Sequence, residues 1–157
     1  FASLGEGECL CNQNKEPFSG WIKGMYVSGQ VKGIGRFKDG KPDGLQTAWH
    51  ENGQKWNETT FKDGEPDGLW TSWYENGQKD NETTFKDGKE DGPFTEWHDN
   101  GQKAAEGTYK DGEGVSVKYW NSKGEEVETR YEAEGKQENS ELERLREAIE
   151  TYEESKK

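Results

Sequence analysis

Glycine recurs every 24 residues along most of the chain, and this spacing limits the folds that the chain can adopt. Three series repeat at this interval: Gly20, Gly44, Gly68 and Gly92; Gly29, Gly53, Gly77 and Gly101; and Gly40, Gly64, Gly88 and Gly112. A repeat of this length is typical of arrays in which each unit buries its apolar face only against its neighbours. The spacing therefore predicts consecutive structural repeats.

One unit, residues 68–91, has the pattern of a β-hairpin. Residues 69–74 are rich in aromatic and β-branched side chains, and Asn76-Gly77 follows them. Asn and Gly both tolerate positive φ, so this pair predicts a type I′ turn. The return segment, residues 78–86, ends at Asp87-Gly88, which is a second turn signal. Each unit is therefore predicted to be one hairpin.

The whole chain is predicted to have a mainly β fold, an elongated single-layer antiparallel sheet of about five consecutive hairpins followed by a C-terminal α-helix. The fifth unit, residues 114–135, is degenerate, and its residues 128–131 echo the return strand of the earlier units. The predicted organisation is an irregular N-terminal arm over residues 1–13, the hairpin array over 14–135, a linker over 136–139 and an amphipathic helix over 140–157.

The predicted C-terminal helix has a start signal and a narrow apolar stripe. Ser140 and Glu143 fit a capping box, in which each satisfies backbone amides of the first turn. The stripe comprises Leu142, Leu145, Ile149 and Tyr152. Two roles are open for it: packing over the last hairpin as a cap, or pairing with another chain.

Alternation of side chains along each strand predicts two unlike sheet faces. Leu69, Thr71 and Trp73 share one face, which recurs with little change between units. We expect this face to be structural, with one aromatic slot of the return strand packing beside its tryptophans. That slot holds Phe37, Phe61, Phe85 and Tyr109.

The opposite face varies from unit to unit, so we expect it to carry binding. Aromatic side chains with polar neighbours are typical of protein interfaces and also of sugar and choline sites. The candidate binding surface on this face comprises Trp56, Trp70, Tyr74, Phe94, His50 and His98.

The polar residues do not predict an enzyme. His50 and His98 occupy a slot that holds Tyr26 and Tyr74 in other units, so the slot accepts an aromatic ring without acid–base chemistry. A catalytic carboxylate pair occurs once, whereas the carboxylates here recur in every unit. No catalytic, cofactor or metal site is predicted. We expect the recurring Glu58, Glu82 and Glu106 to be solvated or to be offset by Lys55, Lys79 and Lys103.

The chain is acidic, with 33 Asp and Glu against 21 Lys and Arg and a formal net charge of -12. Nucleic acid and anionic membrane surfaces are therefore poor partners, and no apolar run is long enough for membrane insertion. The sequence begins at Phe1 and contains two cysteines, Cys9 and Cys11. These features favour a secreted or extracytoplasmic protein. The sequence leaves open whether these thiols are free or bridged, and it leaves open the oligomeric state.

The repeat resembles a known family in residues 67–79 (DGLWTSWYENGQK) and 84–88 (TFKDG). They are similar to the MORN-variant repeat of bacterial YwqK-type antitoxin-like proteins, and the resemblance covers about residues 14–135. It implies an elongated single-layer sheet used for protein contact or scaffolding rather than catalysis. Together with the aromatic sheet face, this predicts a noncatalytic scaffold that binds a protein partner through that face, with the C-terminal helix either capping the array or docking on the partner. The alternative is a binding module for cell-wall carbohydrate or choline-type ligands. Met25 and Pro93 depart from the pattern, since other units have Trp and Leu there.

Overall fold

A computed structural model of the chain describes residues 16–135 and residue 149. The described strands form one open antiparallel sheet in which each strand pairs with the next along the chain. The strands are β1 Gly20–Met25, β2 Val31–Lys38, β3 Lys41–Trp49, β4 Lys55–Lys62, β5 Glu65–Trp73, β6 Lys79–Lys86, β7 Lys89–Trp97, β8 Lys103–Lys110, β9 Glu113–Trp120 and β10 Glu126–Val127. The predicted mainly β fold of consecutive hairpins is therefore confirmed for these residues.

The predicted N-terminal arm, linker and C-terminal helix lie outside the described residues, apart from Ile149. The arm over residues 1–13 and the linker over 136–139 are in this group, and so are Leu142, Leu145 and Tyr152 of the predicted helix. Ile149 is helical and 58% exposed. In the described part of the chain, no helix has the length and apolar character needed to cross a membrane.

Two kinds of turn connect the strands, and the type I′ turn is not where the sequence predicted it. Asp87 and Gly88 both have positive φ, 48° and 80°, and form the two-residue turn between β6 and β7. Asn76 is not among the residues with positive φ, whereas Gly77 has a φ of 82°. The Gly77 amide donates to the Tyr74 carbonyl over 2.9 Å, which defines a three-residue loop with glycine last.

Backbone hydrogen bonds connect successive tight turns at one end of the strands. The amide of each turn glycine donates to a carbonyl of the preceding unit over 2.8 to 3.0 Å. The pairs are Gly40 to Phe18, Gly64 to Pro42, Gly88 to Pro66 and Gly112 to Glu90. Adjacent units are therefore connected at their turns as well as through the strand pairing.

The buried side chains lie mostly on the face that the sequence assigned to binding. We call this the groove face, defined by Gln46, Trp70, Phe94 and the residues paired with them, and we call the opposite one the ladder face, defined by Thr71 and Trp73. Phe94 on the groove face is 5% exposed, whereas Leu69 of the ladder face is 51% exposed. The expectation that the Leu, Thr and Trp series forms the structural face is therefore wrong for its leucines.

The aromatic slot of the return strand packs on the groove face, not beside the Trp73 series as the sequence predicted. Phe85 is paired with Gly68, which lies two residues before Trp70 and so shares its face. The centroids of the Trp70 and Phe85 rings are 5.4 Å apart. In the next unit the rings of Phe94 and Tyr109 are 4.7 Å apart.

The fifth unit ends in a single helical turn where the sequence predicted a return strand over residues 128–131. Strand β10 has only two residues, and α1, Arg130–Ala133, follows it. Thr129 and Glu132 form a capping box, because each side chain accepts from the backbone amide of the other residue. Ala133 is 5% exposed, and Arg130 forms an ion pair with Glu96 at 3.1 Å. The turn therefore covers part of the sheet.

Candidate functional site

Lysines on the ladder face connect neighbouring units. The Lys55 ammonium lies 2.7 Å from a carboxylate oxygen of Glu58 and 5.2 Å from the ring centroid of Trp73 in the next hairpin. The same arrangement recurs for Lys79 with Glu82 and Trp97, and for Lys103 with Glu106 and Trp120. The prediction that these lysines offset the recurring glutamates is confirmed. These lysines and glutamates therefore already have partners within the array.

The slot that alternates between Tyr and His also connects units. His50 Nε2 is 2.8 Å from the Trp73 carbonyl oxygen, and His98 Nε2 is 2.8 Å from that of Trp120. Because a carbonyl only accepts hydrogen bonds, this nitrogen carries the proton in both rings. The Tyr26 and Tyr74 hydroxyls donate to the equivalent carbonyls, those of Trp49 and Trp97. The slot therefore has a structural use that Tyr and His both serve.

Tyr74 lies beside a carboxylate on the groove face. Burial, together with the hydrogen bond and negative charge of Asp80, raises the pKa of the Tyr74 hydroxyl far above its ordinary value near 10. Asp80 also accepts a hydrogen bond from the Ser72 hydroxyl at 3.0 Å. The phenol is therefore held neutral, which does not suit it to act as a base at ordinary pH.

A groove of about 330 Å³ crosses the middle of the groove face. Its lining residues are Trp56, Asn57, Trp70, Ser72, Asp80, Asn81, Thr83, Phe85 and Glu90. Trp56 comes from the second hairpin and is 47% exposed, while Trp70 and Phe85 come from the third. The groove thus combines aromatic surface from successive hairpins with a polar and acidic lining.

A β-bulge places Trp56 in this groove. Ala48 pairs with Asn57 and Trp49 pairs with Lys55, so Trp56 is the extra residue on β4. The bulge interrupts the alternation of side chains, which by itself would place Trp56 opposite Asn57. The equivalent positions of the next two units hold Asp80 and Ala104, so this lining position varies between units.

The structure separates the six residues of the predicted binding surface into different environments. Trp56 and Trp70 line the groove, and the His50 ring lies beside Trp56 with a centroid distance of 6.4 Å. Tyr74 and His98 line a smaller cavity of about 170 Å³, next to α1. Phe94 is buried, so its ring is not available to a ligand.

Sequence reasoning missed the carboxylates of the groove, Asp80 and Glu90. The signal was present, because Asp80 replaces an aromatic residue at the variable position of the repeat. Among residues 16–135, neither carboxylate forms an ion pair with Lys or Arg. The described residues also contain no cluster of three His, Cys, Asp or Glu side chains that would suit a metal ion.

The family model described as "MORN repeat variant" matches residues 42–63, 66–87 and 90–111. These segments coincide with the second, third and fourth hairpins of the sheet. Three consecutive repeats of the chain are therefore similar to this family, which confirms the resemblance of the sequence over residues 42–111. Repeats of this family are generally noncatalytic modules associated with binding. No curated protein matches the chain in sequence.

Proposed function

We propose that this protein is a noncatalytic scaffold that binds a protein partner through the groove face, with Trp56 and Trp70 as the principal contacts. The observation that carries the proposal is the half-exposed Trp56 beside the Trp70 and Phe85 pair in one groove. Exposed tryptophan surrounded by polar groups is typical of residues that contribute most to binding free energy in interfaces.

The rest of the predicted surface takes a supporting role in this proposal. His50, Tyr74 and His98 hold neighbouring units together through the Trp carbonyls, so they keep the groove in shape. The helix predicted over residues 140–157 serves as a second contact, with Leu142, Leu145, Ile149 and Tyr152 facing a partner. The exposure of Ile149 supports this part of the proposal.

Affinity capture from the native source with matched variants tests the proposal. We expect Trp56→Ala to lose the captured partner and Leu69→Ala to keep it, because the two side chains have similar exposure on opposite faces. Circular dichroism checks that both variants retain the β fold. Capture that is unaffected by Trp56→Ala, or lost equally in both variants, would contradict binding through the groove.

A binding module for choline-type or carbohydrate ligands is the second candidate. One observation favours it, namely that aromatic side chains from successive hairpins line a single groove. An aromatic cage with carboxylates nearby suits a quaternary ammonium group. Titration with choline chloride, followed by tryptophan fluorescence, separates the two candidates. A saturable change that disappears in Trp56→Ala would favour the small ligand over the protein partner.

A further inference from the structure

The groove contains negative charge without a matching cation. Asp80 and Glu90 both line it, and no lysine or arginine is among its lining residues. The Asp80 carboxylate accepts a hydrogen bond from the Ser72 hydroxyl at 3.0 Å, and this hydroxyl is a neutral donor. A partner that enters this groove must therefore satisfy or tolerate two carboxylates.

The protein shows how a cation is held in the adjacent cavity of the same face. There Arg130, which begins α1, lies 3.1 Å from the Glu96 carboxylate. Ala133, one turn later, is buried in the same cavity. Glu96 occupies the position equivalent to Ser72 in the preceding unit. A short segment with one basic and one small residue thus already occupies the groove face one unit away.

The aromatic lining suits the rest of a basic side chain. Arginine and lysine have apolar stems that pack against rings, and their charged groups are attracted to tryptophan faces. Trp56 and Trp70 lie on the same lining as Asp80, so one side chain entering the groove meets both ring surface and carboxylate. The net charge of -12 also attracts a basic partner over a longer range.

From this geometry we infer that the groove binds an arginine or lysine side chain of a peptide segment in the partner, with Asp80 and Glu90 receiving the charge. This inference rests on the proposed function, because it specifies which part of a protein partner enters the groove. Glu96 with Arg130 is the intramolecular counterpart of the proposed contact.

Selection from a phage-displayed library of random dodecapeptides on the immobilised full chain tests the inference. We expect the selected peptides to be enriched in arginine or lysine and to require Trp56. A synthetic copy of a selected peptide, with its arginine replaced by neutral citrulline or its lysine by norleucine, should bind at least about tenfold more weakly, as is typical when a charged hydrogen bond is lost.

Three variants distinguish the effect of the groove carboxylates from that of net charge. Asp80→Asn keeps the acceptor oxygen for Ser72 and should weaken binding of the arginine or lysine peptide by about tenfold. Glu90→Gln should also weaken binding of this peptide. Glu113→Gln removes one exposed charge outside the groove and should leave binding nearly unchanged. Equal weakening by Asp80→Asn and Glu113→Gln would overturn the inference.

The remaining outcomes separate this inference from the proposed function. In one outcome, the selected peptides require Trp56, show no enrichment in basic residues and bind Asp80→Asn as tightly as the unchanged protein. That outcome would overturn the basic contact and leave the proposed function standing. A selection that yields no peptide dependent on Trp56 would contradict both.

Discussion

Replacement of Phe94 by alanine should destabilise the array much more than replacement of Leu69. Phe94 is 5% exposed and its ring lies against Tyr109, whereas Leu69 is 51% exposed on the ladder face. Loss of about 150 Å² of buried ring surface at about 25 cal/mol per Å² corresponds to about 4 kcal/mol. Half burial of a leucine corresponds to about 1 kcal/mol.

Urea denaturation followed by tryptophan fluorescence measures both losses, because each variant keeps all seven tryptophans. Light scattering on the same samples establishes the oligomeric state, since a second chain covering the ladder face would increase the loss at Leu69. Equal losses of unfolding free energy for the two variants in monomeric samples would refute this prediction. They would mean that the groove face does not hold most of the buried apolar surface.

Two further predictions concern pH and turn geometry. The pKa of Tyr74 in the folded state is raised above 10, so its contribution to stability should be complete below about pH 10 and should be lost as the pH rises toward the folded-state pKa. Tyr74→Phe should therefore reduce the loss of unfolding free energy that urea titrations measure across this alkaline range. A residual alkaline loss should come from Tyr109, whose pKa is also raised by burial. Gly88→Ala places a Cβ at a φ of 80° and 3.2 Å from a Glu65 oxygen, so it should lower the free energy of unfolding by about 1 to 2 kcal/mol. The neighbouring Lys89→Ala should change it by less than about 0.5 kcal/mol, and an equal effect of the two substitutions would contradict the turn argument.

The order of the strands could be predicted because each chain reversal is marked by a pair of turn residues at a fixed interval. The type of each turn was harder to predict, since Asn-Gly and Asp-Gly are both compatible with a type I′ turn. Asn76 instead accepts a hydrogen bond from the Gln78 amide and donates one to the Asp99 carbonyl. The contact with Asp99 depends on the following unit, which is not considered when one hairpin is analysed alone.

The binding face could be predicted only in part. The sequence placed Trp56 and Trp70 on the groove face, but alternation alone does not reveal the bulges in the return strands, which is why Asp80 was missed. The burial of Phe94 was also missed, because its ring lies over Gly107 on the adjacent strand and glycine leaves room for it. The alternation of side chains along a strand predicts on which face of the sheet a residue lies. Its burial also depends on the size of the paired residue on the adjacent strand.

The short helix α1 had a recognisable signal that competed with the repeat pattern. Thr129 and Glu132 have the spacing of a capping box, which is the same signal that predicts a helix start at Ser140. Similarity of residues 128–131 to earlier return strands favoured a strand instead. The capping interactions are local and need no partner strand, so they favour the helical turn.

The connections between units have a consequence for the size of the array. Tyr26 bonds to Trp49 and Asn52 bonds to Glu75, both 23 residues along the chain, so each block of sequence carries its own attachment to the following one. Duplication of one internal block would then widen the sheet by about 10 Å, the width of two strands, without new chemistry at the junctions. Copy number would set the width of the sheet, whereas the residues at the positions of Trp56 and Trp70 would decide whether an added unit forms a groove.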